Sequence, residues 1–367
     1  MSLIKYGPVK SLEGKKVPRL LELDALRGLA ALGVLLFHYS YNQPGIQPDA
    51  QFRAGVASVD LFFMISGFVT LISTTDRMRP KDYLLNRFSR LFPTYWLCVG
   101  CTSLVMVFTE PARFDLLNSL ANMSMLQTFM GVEDLDGSYW TLQIELLFYI
   151  WILSLCYLGI IKNIERAGLV TLVGIVLFHV MRHSYPGVYS FVQHKFSIIN
   201  HFPLFLSGIL FYQIHQKGYS FKYALLLLIS LGAALYCHDK GGRTMYLLSF
   251  EQHALIILTF HIIFALMLKG KLAFLKEAWL ISLGHISYSL YLLHQYIGLS
   301  IIRLLRSGTV IPVWLAILLA SACMVFLAYL VTVYVEVPIL KLLRFRLRSP
   351  IRADLSPKNI KPEIGEL

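Results

Sequence analysis

Apolar residues run along this chain in blocks of about 18 or more, separated by short polar connectors, and a block of that length lets a helix cross the hydrocarbon core of a bilayer. About ten spans are predicted, near residues 24–42, 56–75, 89–108, 140–160, 167–182, 198–216, 221–237, 249–268, 284–305 and 311–335. The block at 167–182 is short, and the stretch 114–129 is helical in pattern but too polar to count. The expected architecture is all-α: a polytopic transmembrane helical bundle.

Composition agrees with this reading. With 56% hydrophobic and 15% charged residues among 367, and a mean hydropathy of +0.62, an ordinary soluble domain is excluded. Charge then sets the expected orientation. Lys5, Lys10, Lys15, Lys16 and Arg19 precede the first span, Arg77, Arg79, Lys81, Arg87 and Arg90 follow the second, and Lys341, Arg344, Arg346, Arg348 and Arg352 follow the last. The positive-inside rule puts all three groups in the cytoplasm and the acidic connector of Glu110, Asp115, Glu133, Asp134 and Asp136 outside. Both termini are thus expected on the cytoplasmic side of a cell inner membrane. Topology and anionic lipid account for much of the net charge of +12, which removes the case for nucleic acid as a partner. The expected division is a basic leader over 1–23, a membrane domain over 24–337 and a basic, mobile tail over 338–367. Cys98 and Cys101 have the spacing of half a zinc site but stand in an apolar run without a second pair, so they read as packing residues, and no metal site is expected.

Several ionisable groups stand inside these blocks, where each costs roughly 2.5–3.5 kcal/mol on insertion scales and is usually kept for a pathway or a reaction. Arg27 and His38, eleven residues apart, return to nearly the same face of the first helix, about 16 Å apart along its axis. Asp60 lies a turn below the outer end of the second span. Glu145 is expected at a similar depth in the fourth, with Trp140, Thr141 and Gln143 above it. Ser287, Tyr291 and His294, at offsets 0, 4 and 7, share a face of the ninth. Arg87 and Arg90 sit three apart at the mouth of the third helix, and guanidinium forks suit phosphate. Each group also has a plainer reading. Arg27 can snorkel, Asp24 can pair with Arg27 or cap the helix, and Asp60 and Glu145 can tie helices together. His201, His253 and His261 have no evident company and read as packing or interfacial residues.

Five of these stretches, in order, resemble the integral-membrane acyltransferase-3 family. They are "LDALRGLAALGVLLFH", "SVDLFFMISGF", "NRFSRLFPTYW", "SYWTLQIELLFY" and "ISYSLYLLHQ". Leu146 stands where members often carry a second acid, and Val59 where they often have glycine. The resemblance implies a ten-helix O-acyltransferase that takes an acyl group from cytoplasmic acyl-CoA, acetyl-CoA by default, as co-substrate with no bound cofactor. Its acceptor is implied to be an envelope or exported glycan such as an exopolysaccharide. In that reading Arg27, Arg87 and Arg90 meet the donor, and His38 is general base or acyl carrier. Asp60 or Glu145 orients His38, and Trp140, Gln143, Tyr291 and His294 support the site. The alternatives are a proton-coupled transporter that uses the same buried His, Asp and Glu groups as a relay, and a non-catalytic scaffold.

Overall fold

The computed structural model describes residues 20–74, 79–308 and 310–343, together with the backbone of 9–10 and 16–17. Lys5, Lys15, Arg19, Arg77, Arg344, Arg346, Arg348 and Arg352, on which the expected orientation partly rests, lie outside the described residues, as do the side chains of Lys10 and Lys16. Apart from a two-residue ladder pairing Val9–Lys10 with Lys16–Val17, the described residues are helices and their connectors.

The helices are α1 (Leu21–Ser40), α2 (Ser58–Ile72), α3 (Pro80–Thr109), α4 (Leu116–Asn122), α5 (Trp140–Tyr157), α6 (Ile164–Val180), α7 (Pro186–Lys195), α8 (Ile198–Lys217), α9 (Phe221–Tyr236), α10 (Phe250–Leu268), α11 (Ala278–Arg306) and α12 (Val313–Val331). Every predicted block contains a helix. The boundaries moved most at α3, which starts in the basic connector and places Arg87 and Arg90 within the helix. At the other end of the chain, α12 continues through a π-turn at Thr332–Glu336.

Length and apolarity qualify six helical stretches as membrane-crossing, or seven if α7 and α8, bent by 55° at their junction, count as one span. This is fewer than the ten expected, and the shortfall has a physical pattern. Helix α9 is short at 16 residues. Helices α1 and α11 are long but polar, and they pack lengthwise on each other with much of their surface buried. A helix enclosed by protein needs no continuous apolar coat, so a test of apolarity passes over it.

Two helix pairs form the frame. In α1–α11 a Cβ on Gly28 would stand 2.6 Å from the Gly284 nitrogen, and one on Gly284 would stand 1.9 Å from the Asp24 carbonyl oxygen. In α2–α8 the same reciprocity holds, with Gly67 against the Phe205 carbonyl and Gly208 against that of Met64. Small residues let helix backbones touch in this way where lipid supplies no hydrophobic drive. Helices α3 and α12 lie against α11, while α5, α6 and α9 lie against α8, and α1 meets α2 to join the two halves.

Candidate active site

Each glycine-tightened pair carries one ionisable centre. On α1 and α11, the half-buried His38 ring lies 5.3 Å from the fully buried His294 ring, centroid to centroid. His294 Nδ1 donates to the Tyr291 carbonyl at 2.7 Å, which leaves Nε2 as its acceptor nitrogen, buried and without a partner among the described residues. Tyr39 donates its hydroxyl to the His294 carbonyl at 2.7 Å, a contact that needs Gly298, since a Cβ there would overlap the Tyr39 oxygen. Tyr291 in turn is tied to the start of α5, with its hydroxyl 2.7 Å from Thr141 Oγ1 and 3.2 Å from the Ser138 carbonyl it donates to. The α11 face read from the sequence is therefore assembled, and it meets His38.

The second centre is built on Asp60. The expected pairing of Asp60 or Glu145 with His38 is not present: among the described residues no carboxylate hydrogen-bonds His38. Asp60 Oδ2 instead meets His253 Nε2 at 3.0 Å, and Oδ1 lies 3.7 Å from His201 Nδ1. His253 Nδ1 contacts His238 Nδ1 at 2.9 Å. The two histidines read as packing residues thus supply the partners of a buried carboxyl group that would be costly to leave unpaired. His261, by contrast, keeps a tying role, bridging the Ile257 carbonyl and Ser207.

Glu145 corrects the second expectation. It accepts from Ser66 Oγ at 2.8 Å and from Tyr149, and Ser66 lies six residues beyond Asp60 on α2, about 9 Å deeper along the axis. The two carboxylates are on different levels. Glu145 belongs with the arginines, since Arg27 lies within Coulombic range of Arg90, Asp24 and Glu145. Arg87 is buried, donates to the Thr70 carbonyl at 3.1 Å and to Ser73, and lies over the rings of Tyr149 and Tyr83. Its fork therefore closes the C-terminal end of α2, a helix-capping use of a cation. Gln143 reaches the Lys195 carbonyl at 3.0 Å and ties α5 to α7.

Trp140 borders the second centre. Its ring is 5.7 Å from that of His201, and the Arg243 guanidinium lies 5.6 Å from its centroid on the exposed side. Sequence reasoning missed Arg243 and also Glu336. The latter sits in the π-turn with its carboxylate 3.2 Å from Ser289 Oγ, within Coulombic range of Arg90 and Arg27. An acid inside the apolar run "LVTVYVEVPIL" was the available signal for Glu336.

A bundle with apolar outer helices, two imidazole-rich centres and a separate group of arginines inside it defines a helical membrane protein with ionisable groups in its interior. The family model described as an acyltransferase domain matches residues 20–333, and the chain belongs to this acyltransferase-3 family. It is similar to the putative acetyltransferase ORF330 of Acidianus two-tailed virus, at 22% identity over 277 residues, which cover 73% of this chain and 80% of that protein. It is also similar to the exopolysaccharide production protein ExoZ of Rhizobium meliloti (strain 1021), at 32% identity over 109 residues, or 27% of this chain and 33% of that protein. No solved structure matches.

Proposed function

We propose that this chain transfers an acyl group, acetyl by default, from acyl-CoA on the cytoplasmic side of the inner membrane to a hydroxyl of an envelope or exported glycan. The observation that carries the reading is that one enclosed helix, α1, bears Arg27 beside Arg90 at one level and His38 beside His294 about 16 Å away. Phosphates of a CoA donor suit the guanidinium level. An imidazole with no carboxylate partner among the described residues suits the other, because its lone pair stays available to a hydroxyl proton. In the proposed step His38 takes the proton of the acceptor hydroxyl as its oxygen bonds to the thioester carbonyl carbon. The C–S bond then breaks, and the CoA thiolate takes a proton on the donor side. Arg90 and Arg27 hold the donor, Arg87 fixes the α2 end beside them, and Trp140 with Arg243 offers the acceptor an aromatic face and a cation. Both termini face the cytoplasm in this arrangement. The relatives named as an acetyltransferase and an exopolysaccharide production protein support the choice of acetyl and of a glycan.

The test supplies membranes holding wild type or His38→Ala with labelled acetyl-CoA and measures label in alkali-labile esters of envelope glycan. Label that disappears with His38 supports the reading, whereas unchanged label in His38→Ala at equal expression removes His38 from the reaction. If a panel of acyl-CoAs neither reacts with nor binds the wild type, acyl transfer itself is overturned.

A further inference from the structure

Apart from His38 and His294, one file of titratable groups runs from the buried core toward the surface. His201 stands at its inner end, buried, with its ring beside Trp140 and its Nε2 without a partner among the described residues. Its Nδ1 lies 3.7 Å from Asp60 Oδ1, an ion-pair distance, and Asp60 Oδ2 continues to His253 Nε2 at 3.0 Å. His253 Nδ1 meets His238 Nδ1 at 2.9 Å, and His238, half-buried, follows α9 in the connector to α10. His253 joins its neighbours through both ring nitrogens, which links the buried carboxyl group to the half-buried His238.

The connector closes over the file. Gly242 has φ +98°, and a Cβ there would stand 3.2 Å from His201 Cε1, so only glycine lets the backbone lie on that ring. Lys240 anchors the connector through Asp239 at 2.5 Å and against the Tyr236 ring. Arg243, three residues on, stacks on Trp140 and lies within Coulombic range of His38 and Tyr291.

The reaction proposed above creates a need for such a file, and the inference rests on that reading. When donor and acceptor meet from opposite sides of the membrane, the hydroxyl proton is released on the acceptor side and the thiolate is protonated on the donor side. Each turnover therefore leaves one proton on His38 that has to be cleared. We propose that His201, Asp60, His253 and His238 are the exit path for that proton. It crosses from His38 to His201 Nε2 through water or acceptor hydroxyls beside Trp140, and His201 gives its Nδ1 proton to Asp60. At rest Asp60 carries a proton on Oδ2 that it donates to His253 Nε2; as Oδ1 takes the His201 proton, the Oδ2 proton passes to His253 Nε2, the His253 Nδ1 proton moves to His238 Nδ1 and the His238 Nε2 proton moves to bulk water. Every ring loses one proton for the one it gains, so no net charge is stranded. His238 faces Asp239 of its own connector, His253 and Glu251 of α10 and Asp60 of α2. Burial and then His253 hold it below the usual imidazole range, which keeps it neutral and able to accept.

The experiment compares wild type, His253→Gln and His238→Gln in the acyl-transfer assay, with and without 4-methylimidazole. The relay lowers kcat about tenfold in either variant, changes the acceptor KM less than about twofold, and lets the added imidazole restore the rate. Wild-type rates in both variants, or a loss that imidazole does not restore, overturn the relay while leaving acyl transfer standing. His238→Gln lies at the periphery and keeps the test valid if His253→Gln fails to fold. The contacts are also readable without turnover, in nitrogen-15 spectra of histidine-labelled protein. Replacing His253 by Gln raises the His238 titration midpoint, and an unmoved midpoint overturns the file whether or not any acyl group is transferred.

Discussion

The α1–α11 and α2–α8 pairs use the same packing device and place different chemistry on it. Both bring backbones together at reciprocal glycines, and both carry a histidine toward the same end of the bundle. On α1–α11 the glycines seat two imidazoles against each other, with no carboxylate among the described residues bonded to His38. On α2–α8 they seat a carboxylate that α8 and α10 surround with imidazoles. A histidine bonded to a carboxyl group has a ring nitrogen committed to that partner, whereas a histidine without one has no nitrogen so committed. Close packing sets where a polar group stands, and the neighbour on the facing helix sets what it can do.

Substitutions break this contrast at different strengths. The largest effect is expected from His38→Ala, which lowers acyl transfer by about 10²–10⁴-fold with protein level unchanged, measured as ester label per mole of enzyme. Asp60→Ala comes next, because it strands the imidazoles of His201 and His253. A loss of about 3 kcal/mol in detergent denaturation is expected, and full stability in that variant would show that the carboxylate is not holding α8 and α10. The arginines separate in kind. Arg87→Ala should cost about 1–3 kcal/mol by leaving the Thr70 carbonyl unpaired, while Arg90→Ala should leave stability alone and raise the donor KM. A smaller effect, about 1–2 kcal/mol, is expected for Gly242→Ala, whose left-handed backbone strains any side chain, with a matching drop in melting temperature.

The smallest effect is the pH dependence of stability at His238. Burial and the neighbouring His253 hold its folded pKa below the usual imidazole range, so the unfolded chain binds the proton more readily. Stability is therefore present above about pH 6.5 and declines as pH falls through that value toward the folded pKa. His238→Gln should flatten this acid limb of the melting curve, and an unchanged limb assigns it to another group.

The α4 stretch shows how the two kinds of information divide. Its polarity argued against a span, and it forms a helix of only seven residues, with Asp115 accepting from the Leu117 amide at its start. That outcome is local, and local periodicity reports it. Helix α11 is the opposite case: the sequence located it and aligned Tyr291 with His294, but apolarity undervalued it because its polar face is covered by α1. Glu145 was placed level with Asp60 by counting residues from two helix ends, and its bond to Ser66 shows that the helices are offset.

By itself, the sequence determined that the chain is helical, lies in a membrane and belongs to the acyltransferase-3 family. It also set Arg27 and His38 on one helix face. These follow from hydropathy, from motif order and from 3.6 residues per turn, all of which are properties of segments. Tertiary structure alone decided that Asp60 belongs to His253, 193 residues away, and that His38 belongs to His294. The reason is geometric. A helix fixes which residues share its face, but which neighbour that face meets, and at what axial offset, depends on packing between segments that no single periodicity encodes.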